Sequence, residues 1–575
     1  MLGYKADKRT TVEDMRGPKS LRSSLVTGSN RRVDFADLEC QELIGQGAYG
    51  MVHRMTERLT GQSRVMKTVV RPDGWDDERL KLEAQLLQHL DHPHVLRIFS
   101  WYEEGDSVNI VMEHCNGGEV LKVVQEGRKR GDALPEKWLA TAVRQCFEAL
   151  VYIHSKGVVH KDLKGQNLLL LESTEGEGGY VFAKPPHVIV CDLGIAEVCS
   201  RGIFGMRGKK VAGTPSTMAP EVWKGSCGPK SDVWSMGCVM YELFTNRMPF
   251  EVQGNIKAAA SYQATWLAMH RKGPNWDALR CSADAKGLCQ QLLTFKESTR
   301  PSAVECLKHA WFSISYGGDL SEEEATDLCQ AVMDWKDRSP TQRALCLKLA
   351  TGCTCISKFA RLFTKFDTDN SGILDRSELV AALKSVGIEA SQAKKAAAAL
   401  DVNNDNSCEY LEFAAACLSS LQRQYDELLR QEFCALDMMG RGHLVEAELA
   451  PFIEELATLA SSRGIRLQDI DANSDGAVSF TEFCAYFGRP GVVYTDDQVG
   501  HRAQRPRASG SLPMKQHIRL VNNTAGDVER SMEQIRRSME EKLKKNAAGA
   551  DSGGASPSRA RRGRGASGGA LRRPP

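Results

Sequence analysis

Four acidic stretches of twelve residues begin at Asp367, Asp401, Asp437 and Asp471, in steps of 34, 36 and 34 residues. A repeat of this length restricts the fold severely, because one unit cannot bury an apolar face alone and neighbours must stack into a shared core. The first stretch, "DTDNSGILDRSE", sets side-chain oxygens at positions 1, 3, 5, 9 and 12 (Asp367, Asp369, Ser371, Asp375, Glu378), with the Ile373 carbonyl at position 7 and Gly372 at the sharp turn. That is the donor pattern of a calcium loop. The preceding "KFARLFTKF" places Phe359, Leu362, Phe363 and Phe366 on one stripe, as an entering helix requires.

The second stretch, "DVNNDNSCEYLE", offers Asp401, Asn403, Asp405, the Ser407 carbonyl and Glu412, with Asn406 at the turn, where Asn tolerates left-handed backbone. The fourth, "DANSDGAVSFTE", offers Asp471, Asn473, Asp475, the Ala477 carbonyl and Glu482. In the third, "DMMGRGHLVEAE", Asp437, Gly442 and Glu448 remain, but Met439 and Arg441 put a thioether and a cation where oxygens belong. The expectation is three Ca²⁺ sites, with the third loop a metal-free structural partner of the fourth.

The first half of the chain carries different chemistry. Short β-branched runs such as "VNIVME" give way to helical spacing in "AVRQCFEALVYIHS", where Val143, Cys146, Leu150 and Ile153 share a stripe. This predicts a small strand-rich lobe followed by a larger helical one. "LIGQGAYGMV" runs through Ile44, Gly45, Gln46, Gly47, Ala48, Tyr49 and Gly50 to Val52, and glycines there let backbone N–H groups approach phosphate oxygens. Lys67 is set to hold the α- and β-phosphates of ATP, and Glu83 to orient it by an ion pair. Met112 and Glu113 fall where a hinge offers backbone hydrogen bonds to adenine, with Glu119 just beyond. In "VVHKDLKGQN", Asp162 is placed to accept the proton of an attacking hydroxyl and Lys164 to neutralise charge on the transferred phosphoryl group. Asn167, with Asp192 of "VIVCDLG", is placed to hold Mg²⁺.

In this order and spacing, residues 39–312 resemble a eukaryotic protein kinase domain, with Glu221 of "GTPSTMAPE", "SDVWSMGCVMYELFTNRMPF" and Arg300 as later landmarks. The Lys two residues after Asp162 and the "GTP" ahead of "MAPE" resemble Ser/Thr kinases, which implies that Thr214 helps to position Lys164 and Asp162. Together with the EF-hand loops, residues 39–488 resemble the calcium-dependent protein kinases of plants and protists. The resemblance implies a multidomain α+β chain: a bilobal kinase fold, then an all-α calmodulin-like domain of four EF-hands, then a disordered tail. It further implies a Ca²⁺-activated enzyme that moves the γ-phosphoryl group of ATP, with Mg²⁺, to Ser/Thr hydroxyls of proteins. Calcium would release it from inhibition by its own junction segment.

Several positions depart from the family pattern without removing a charged catalytic group. Leu193 stands where Phe is usual, Val65 where a small residue sits over adenine, Gly165-Gln166 where Pro-Glu is common, and "ESTEGEGGYVFAKPPH" lengthens the approach to Asp192. Lys161 replaces the Arg that clamps an activation-loop phosphate bidentately, and Lys is only a point charge. Between Asp192 and Gly213 the only hydroxyl side chain is that of Ser200. Calcium is therefore expected to be the principal switch.

The predicted organisation is a flexible arm (1–38), kinase domain (39–312), junction (313–355), EF-hand pairs (356–422 and 423–488) and a basic, mostly disordered tail (489–575). Within the junction, Ser339, Pro340 and Gln342 read as N-cap, first-turn Pro and capping-box residue of a second helix, so the Arg338–Thr341 spacing is a helix start rather than a substrate mimic. A formal net charge of +2 predicts no general pull toward nucleic acid or membrane, which leaves only weak contacts of the basic tail, or import through it into the nucleus. The eighteen Cys are scattered behind an N-terminus without a signal-peptide core, and Gly3 rather than the second residue breaks the myristoylation pattern. A cytoplasmic, unanchored monomer with reduced thiols is expected. The competing class is a catalytically silent, calcium-responsive scaffold, against which Lys67, Asp162, Asn167 and Asp192 are all retained.

Overall fold

In the computed structural model the described residues run from 38 to 494, apart from 48–49, 59–60, 71–89, 105–106, 177–178, 194–213, 253–258, 317–320, 354–355, 404, 438, 460–464 and 489–491. Ala48, Tyr49, Glu83, Ser200, the arm before residue 38 and the tail beyond residue 494 therefore lie outside the described residues. Strands β1 (Leu38–Gly47), β2 (Gly50–Glu57), β3 (Ser63–Val70), β4 (Ile98–Glu104) and β5 (Ser107–Glu113) form an antiparallel sheet in the order β1-β2-β3-β5-β4. Every residue of β5 is buried, and its polar Asn109 is satisfied by the Thr68 hydroxyl at 2.6 Å. A second sheet joins β6 (Gly118–Glu119), β7 (Leu168–Leu170) and β8 (Val188–Val190).

The larger lobe is built around α2 (Glu136–Ser155), which follows α1 (Val120–Arg130) and is apolar on nearly every side: Trp138, Phe147, Leu150 and Ile153 are all buried. A helix enclosed in this way is the centre of a domain rather than its surface. The long connection before Asp192 folds back onto it, with Phe182 edge-on to Trp138 at 5.3 Å and the Tyr180 hydroxyl donating to the Ala133 carbonyl. Helix α3 (Pro229–Thr245) starts with Pro in its first turn and packs on α5 (Ala283–Leu292), with α4 (Ala259–Lys272) between them in sequence and α6 (Ala303–Leu307) closing the lobe. Two of the landmark residues pair here: the Arg300 guanidinium donates to both Glu221 oxygens, at 2.6 and 3.0 Å, with Arg300 1% exposed.

Beyond it, junction helices α7 (Glu322–Asp334) and α8 (Pro340–Gly352) pack inside one core with α9 (Ser357–Phe366), α10 (Arg376–Ser385), α11 (Ala390–Leu400), α12 (Tyr410–Cys417), α13 (Gln422–Leu436), α14 (Glu446–Leu459) and α15 (Phe480–Phe487). The capping-box reading of α8 holds: Ser339 Oγ accepts the Gln342 N–H at 3.2 Å, and Gln342 Oε1 accepts the Ser339 N–H at 2.8 Å. The loops pair through short ladders, β9 (Leu374–Asp375) with β10 (Ser407–Cys408) and β11 (His443–Val445) with β12 (Ala477–Ser479). The junction helices thus lie among the EF-hands. Cysteines of the described residues are free thiols, and no helix among them is long and apolar enough to cross a membrane.

This regulatory core rests on the kinase domain through helix termini. Arg97 donates to the carbonyls of Ala350 and Cys353 at 3.3 and 2.8 Å, and Arg64 to that of Gly352, so two cations meet the C-terminal end of α8. Asp91 accepts the N–H of Leu411, in the first turn of α12, at 2.6 Å. Each charge matches the helix end it faces.

Replacing Arg300 by Met leaves the buried Glu221 carboxylate unpaired, which costs about 3–5 kcal/mol. A thermal melt of the full chain should show the kinase transition lowered by roughly 10 °C. Glu221→Leu added to Arg300→Met should restore most of it; an unchanged melt in the single variant would remove the pair from any account of stability.

Candidate active site and calcium loops

The Gly-rich hairpin pairs Gly45 with Val52, Gln46 with Met51 and Gly47 with Gly50. Its glycines are not equivalent. A Cβ on Gly50 would stand 1.8 Å from the Thr68 carbonyl oxygen, so β2 approaches β3 there only without a side chain, whereas a Cβ on Gly45 would meet Val52 at an ordinary 3.7 Å. Ile44 is exposed, Val52 partly buried and Val65 buried. Met112 corrects the hinge expectation. It is an interior residue of β5, paired with Val65 on one side and Ile98 on the other, so its backbone serves the sheet rather than adenine. Glu113 gives its N–H to the Arg97 carbonyl, and the chain leaves the sheet in the turn His114–Gly118, braced by Asn116 and Gly117 N–H groups on Leu171 and Leu170 carbonyls. Glu119 beyond it pairs with Lys122 at 2.5 Å.

The catalytic loop is held from below by a residue that sequence reading passed over. Asp232 of α3 is fully buried and accepts the N–H groups of His160 and Lys161 at 2.8 and 2.9 Å and the His154 ring at 2.8 Å. Lys161 takes a left-handed conformation, φ 70°, which aims the next residue away. Asp162 Oδ1 then accepts the Thr214 hydroxyl at 2.7 Å and its N–H at 3.0 Å, and Oδ2 meets Lys164 Nζ at 2.6 Å. Asn167 Nδ2 donates to the Asp162 carbonyl at 2.8 Å, which turns its side-chain oxygen outward from that bond. Thr214 thus contacts Asp162 through both its hydroxyl and its N–H.

Lys67 is paired with Asp192, and the expected Glu83 partner lies outside the described residues. Burial alone would raise the Asp192 pKa, but the Lys67 ammonium outweighs it and holds the carboxyl below its usual range. Leu193 is buried in the kinase core beneath it, as an apolar replacement for Phe should be. His160 Nε2 lies 3.0 Å from the Cys191 carbonyl, tying the catalytic loop to the segment carrying Asp192. Asn167 and Asp192 present hard oxygen donors of the kind Mg²⁺ takes alongside phosphate oxygens.

The four calcium loops share one backbone design. The first Asp accepts two N–H groups across the turn: Asp367 from Ser371 and Gly372, Asp401 from Asp405 and Asn406, Asp437 from Arg441 and Gly442, Asp471 from Asp475 and Gly476. Asn406 takes φ 67° in the place of the loop glycines, as expected. In loop 1 one oxygen each of Asp367, Asp369 and Glu378 lies within 4.8 Å of the others, a set that suits a divalent cation. Ser371 Oγ donates to the Ile373 carbonyl, while Asp375 caps α10 through the Glu378 N–H rather than facing the cluster. In loop 2, Asn403 donates to Asp405, Ser407 donates to Asp405, Glu412 is wholly buried, and Arg376 of loop 1 reaches Asp401 at 2.7 Å. In loop 4, Asn473 bonds Asp475, Ala477 donates to Asp475, and Glu482 accepts from Ala472, Asn473 and Ser479. Loop 3 differs in one decisive contact: Arg441 Nη2 lies 3.0 Å from Glu448 Oε1.

A bilobal phosphotransfer domain with a calcium-loop regulator is what fold and site define together. A protein kinase domain model matches residues 38–312, and EF-hand models match 358–387 and 465–484. The chain is 30% identical over 453 residues to calcium-dependent protein kinase 5 of Plasmodium falciparum, covering 76% of both chains. It is 28% identical to calcium-dependent protein kinase 33 of Arabidopsis thaliana, over 77% of this chain and 82% of that one, and 28% identical to calcium-dependent protein kinase 2 of Zea mays, over 77% and 84%. The chain belongs to the calcium-dependent protein kinases and is a calcium-activated Ser/Thr protein kinase.

The Asp367 carboxyl is pushed up to about 7, chiefly by burial and further by Asp369 and Glu378, against the N–H groups of Gly372 and Ser371. In the unfolded chain it titrates near 3.9. Between about pH 4 and 7 the calcium-free loop therefore holds a proton that the unfolded chain does not, and its stability falls as pH rises through that window. Calcium needs the carboxylate, so its affinity moves the other way. Titration calorimetry should find site 1 roughly tenfold weaker near pH 6 than near pH 8; a flat profile would show that Asp367 is ionised throughout.

Proposed function

We propose that Asp162 is the proton acceptor of the transfer and that Lys164, Thr214, Lys67, Asn167 and Asp192 complete the site, with three Ca²⁺ ions drawing the junction helices into the EF-hand core. The observation that carries this reading is the Asp162 carboxylate, oriented by Thr214 on one oxygen and Lys164 on the other, beside the Lys67–Asp192 pair. Mg²⁺, when bound with ATP, neutralises the phosphate oxygens. Asn167 and Asp192 would hold it. The substrate hydroxyl approaches Asp162, which takes its proton as the oxygen attacks the γ-phosphorus, and Lys164 balances charge on the moving phosphoryl group. The backbone N–H groups at Gly45 to Gly50 would cover the phosphates, and the turn after Glu113 would meet adenine.

Regulation follows from where the junction lies. Helix α8 fills the space between the EF-hand lobes, with Gln342 bonded to the Tyr486 carbonyl and Lys348 to Glu455 at 2.6 Å. Calcium opens such lobes and exposes the grooves that receive a helix. Without calcium the junction would be free to inhibit the kinase domain. Moving a 1:99 population to 99:1 takes about 5.5 kcal/mol, so three ions would each supply about 1.8 kcal/mol of preference. The chain acts as a monomer on protein substrates in the cytoplasm, and the basic tail offers a route to the nucleus.

Transfer of ³²P from ATP to a basic peptide should require calcium in the wild-type chain and vanish in Asp162→Asn, whose calcium binding stays intact; equal activity of the two proteins would favour the silent scaffold. Calorimetry should count three sites. The Arg441–Glu448 pair places a tethered cation in the third loop, so Met439→Asp with Arg441→Asp should raise the count to four, and four sites in the wild type would refute the reading of loop 3.

A further inference from the structure

The apolar core that holds the calcium loops does not stop at the domain boundary. It takes in Leu171 and Ile189 of the kinase domain, which are 4% and 0% exposed and cluster with Ile356, Phe359 and the junction helices. Both residues lie on the ribbon that carries the two metal-side ligands. Asn167 immediately precedes β7, and Asp192 follows β8 by one intervening residue, Cys191. The strands are paired Leu168 to Val190, Leu169 to Ile189 and Leu170 to Val188, and the Cys191 N–H on the Asn167 carbonyl, at 3.0 Å, closes the ladder beside both ligands.

The alternation of side chains divides the ribbon between two cores. Leu168, Leu170, Val188 and Val190 pack into the kinase core, while Ile189 and Leu171 pack with the regulatory helices. At the far end the ribbon is clamped by polar contacts. The Leu171 N–H donates to the His187 carbonyl at 2.9 Å, and the His187 ring lies 2.9 Å from the hydroxyl of Ser357, the first residue of α9. Ser357 also reaches Glu172 at 3.4 Å. The ribbon is short and is bordered within its own domain by β6 along β7 and by the segment His94–Leu96 along β8, so the regulatory helices supply the packing on its Ile189 face rather than its pairing.

We propose that the docked regulatory domain is a positioning element for the metal site: Leu171, Ile189 and the His187–Ser357 contact hold β7 and β8 so that Asn167 and Asp192 keep the spacing Mg²⁺ requires. The inference rests on Asn167 and Asp192 as the Mg²⁺ ligands. It adds to release of inhibition a direct contribution of the calcium-bound domain to binding of the metal–nucleotide complex. Mg²⁺ tolerates little departure from octahedral geometry, so a small shift between two ligands is felt as lost affinity. Because binding couplings are reciprocal, the metal–nucleotide complex should in turn tighten calcium binding.

The test uses the full chain at saturating calcium and a fluorescent, non-hydrolysable ATP analogue titrated with Mg²⁺. Ile189→Ala should raise the Mg²⁺ concentration for half-maximal nucleotide binding by roughly tenfold. Ile189→Val should lie near the wild type, and Ser357→Ala, which leaves the apolar core intact, should move the same way as Ile189→Ala by a smaller factor. Calcium titrations of the wild type should tighten when Mg²⁺ and the analogue are present, and this gain should shrink in Ile189→Ala. Wild-type Mg²⁺ dependence in both Ile189→Ala and Ser357→Ala, with only the calcium requirement changed, would reduce the contact to simple docking. Asn167→Ala with unaltered Mg²⁺ dependence would instead overturn the assignment of the metal ligands.

Discussion

One buried carboxylate fixes the geometry on which phosphoryl transfer depends. Asp232 has no exposed surface, and a charge in that position persists only when its oxygens are taken by donors. The donors it finds are the backbone N–H groups of His160 and Lys161, so the charge is compensated by the catalytic loop itself. Lys161 meanwhile adopts φ 70°, a conformation that costs an L-residue with a side chain about 1–2 kcal/mol. Helix α3 thus supports a strained turn, and that turn delivers Asp162 to Thr214 and Lys164. Through His160 on the Cys191 carbonyl, the same brace reaches the segment of Asp192.

What could be read in the sequence is what local chemistry determines. A calcium loop must present oxygens at fixed offsets, so the donor sets of loops 1, 2 and 4 were legible residue by residue, and so was the replacement of two oxygens by Met439 and Arg441 in loop 3. The order of Lys67, Asp162, Asn167, Asp192 and Glu221 was legible because each bears a charge or amide needed for one reaction. The N-cap at Ser339 was legible because capping is a contact between near neighbours. Met112 was misjudged because position in the chain does not reveal that its backbone is shared between β3 and β4. Asp232 sat inside a quoted landmark, "SDVW", yet its role depends on meeting a loop some seventy residues earlier in the chain, which no local pattern encodes. The packing of Ile189 against the EF-hands was hidden for the same reason, since an apolar strand residue looks alike whichever core receives it.

Beside the apolar contact of Leu171 and Ile189, kinase and regulator meet through charges set against helix ends. A free helix terminus leaves N–H or C=O groups unpaired, and here the kinase domain supplies partners at both kinds: Asp91 at the start of α12, Arg97 and Arg64 at the end of α8. The calcium loops themselves reach the same surface. A Cβ on Gly372 of loop 1 would stand 2.7 Å from Tyr152 and 3.0 Å from His92, so the loop glycine meets kinase side chains as well as supplying its positive φ. Lys156 lies 3.9 Å from Glu409, the N-cap of α12. Loops 1 and 2 are therefore in contact with the domain they control.

The third loop clarifies what calcium contributes in the others. Its first Asp accepts the same two backbone N–H groups as in the three complete loops, so that turn is folded by hydrogen bonds and not by the ion. At the other end the last Glu of loops 1, 2 and 4 is likewise held by backbone N–H groups just past the first Asp, so an ion would act by neutralising the carboxylates already gathered there. In loop 3 the Arg441 guanidinium stands against Glu448, a cation supplied by the chain itself. In loop 1 no such cation bridges Asp367 and Glu378 among the described residues, and burial drives the Asp367 carboxyl toward its protonated form. Loops 1, 2 and 4 gather carboxylates that calcium would neutralise, and in loop 2 Arg376 already offsets part of that charge at Asp401. Because two of those three loops lie on the kinase surface, the neutralisation of their charge is felt at the contact that Asp91, Tyr152 and His92 make with them.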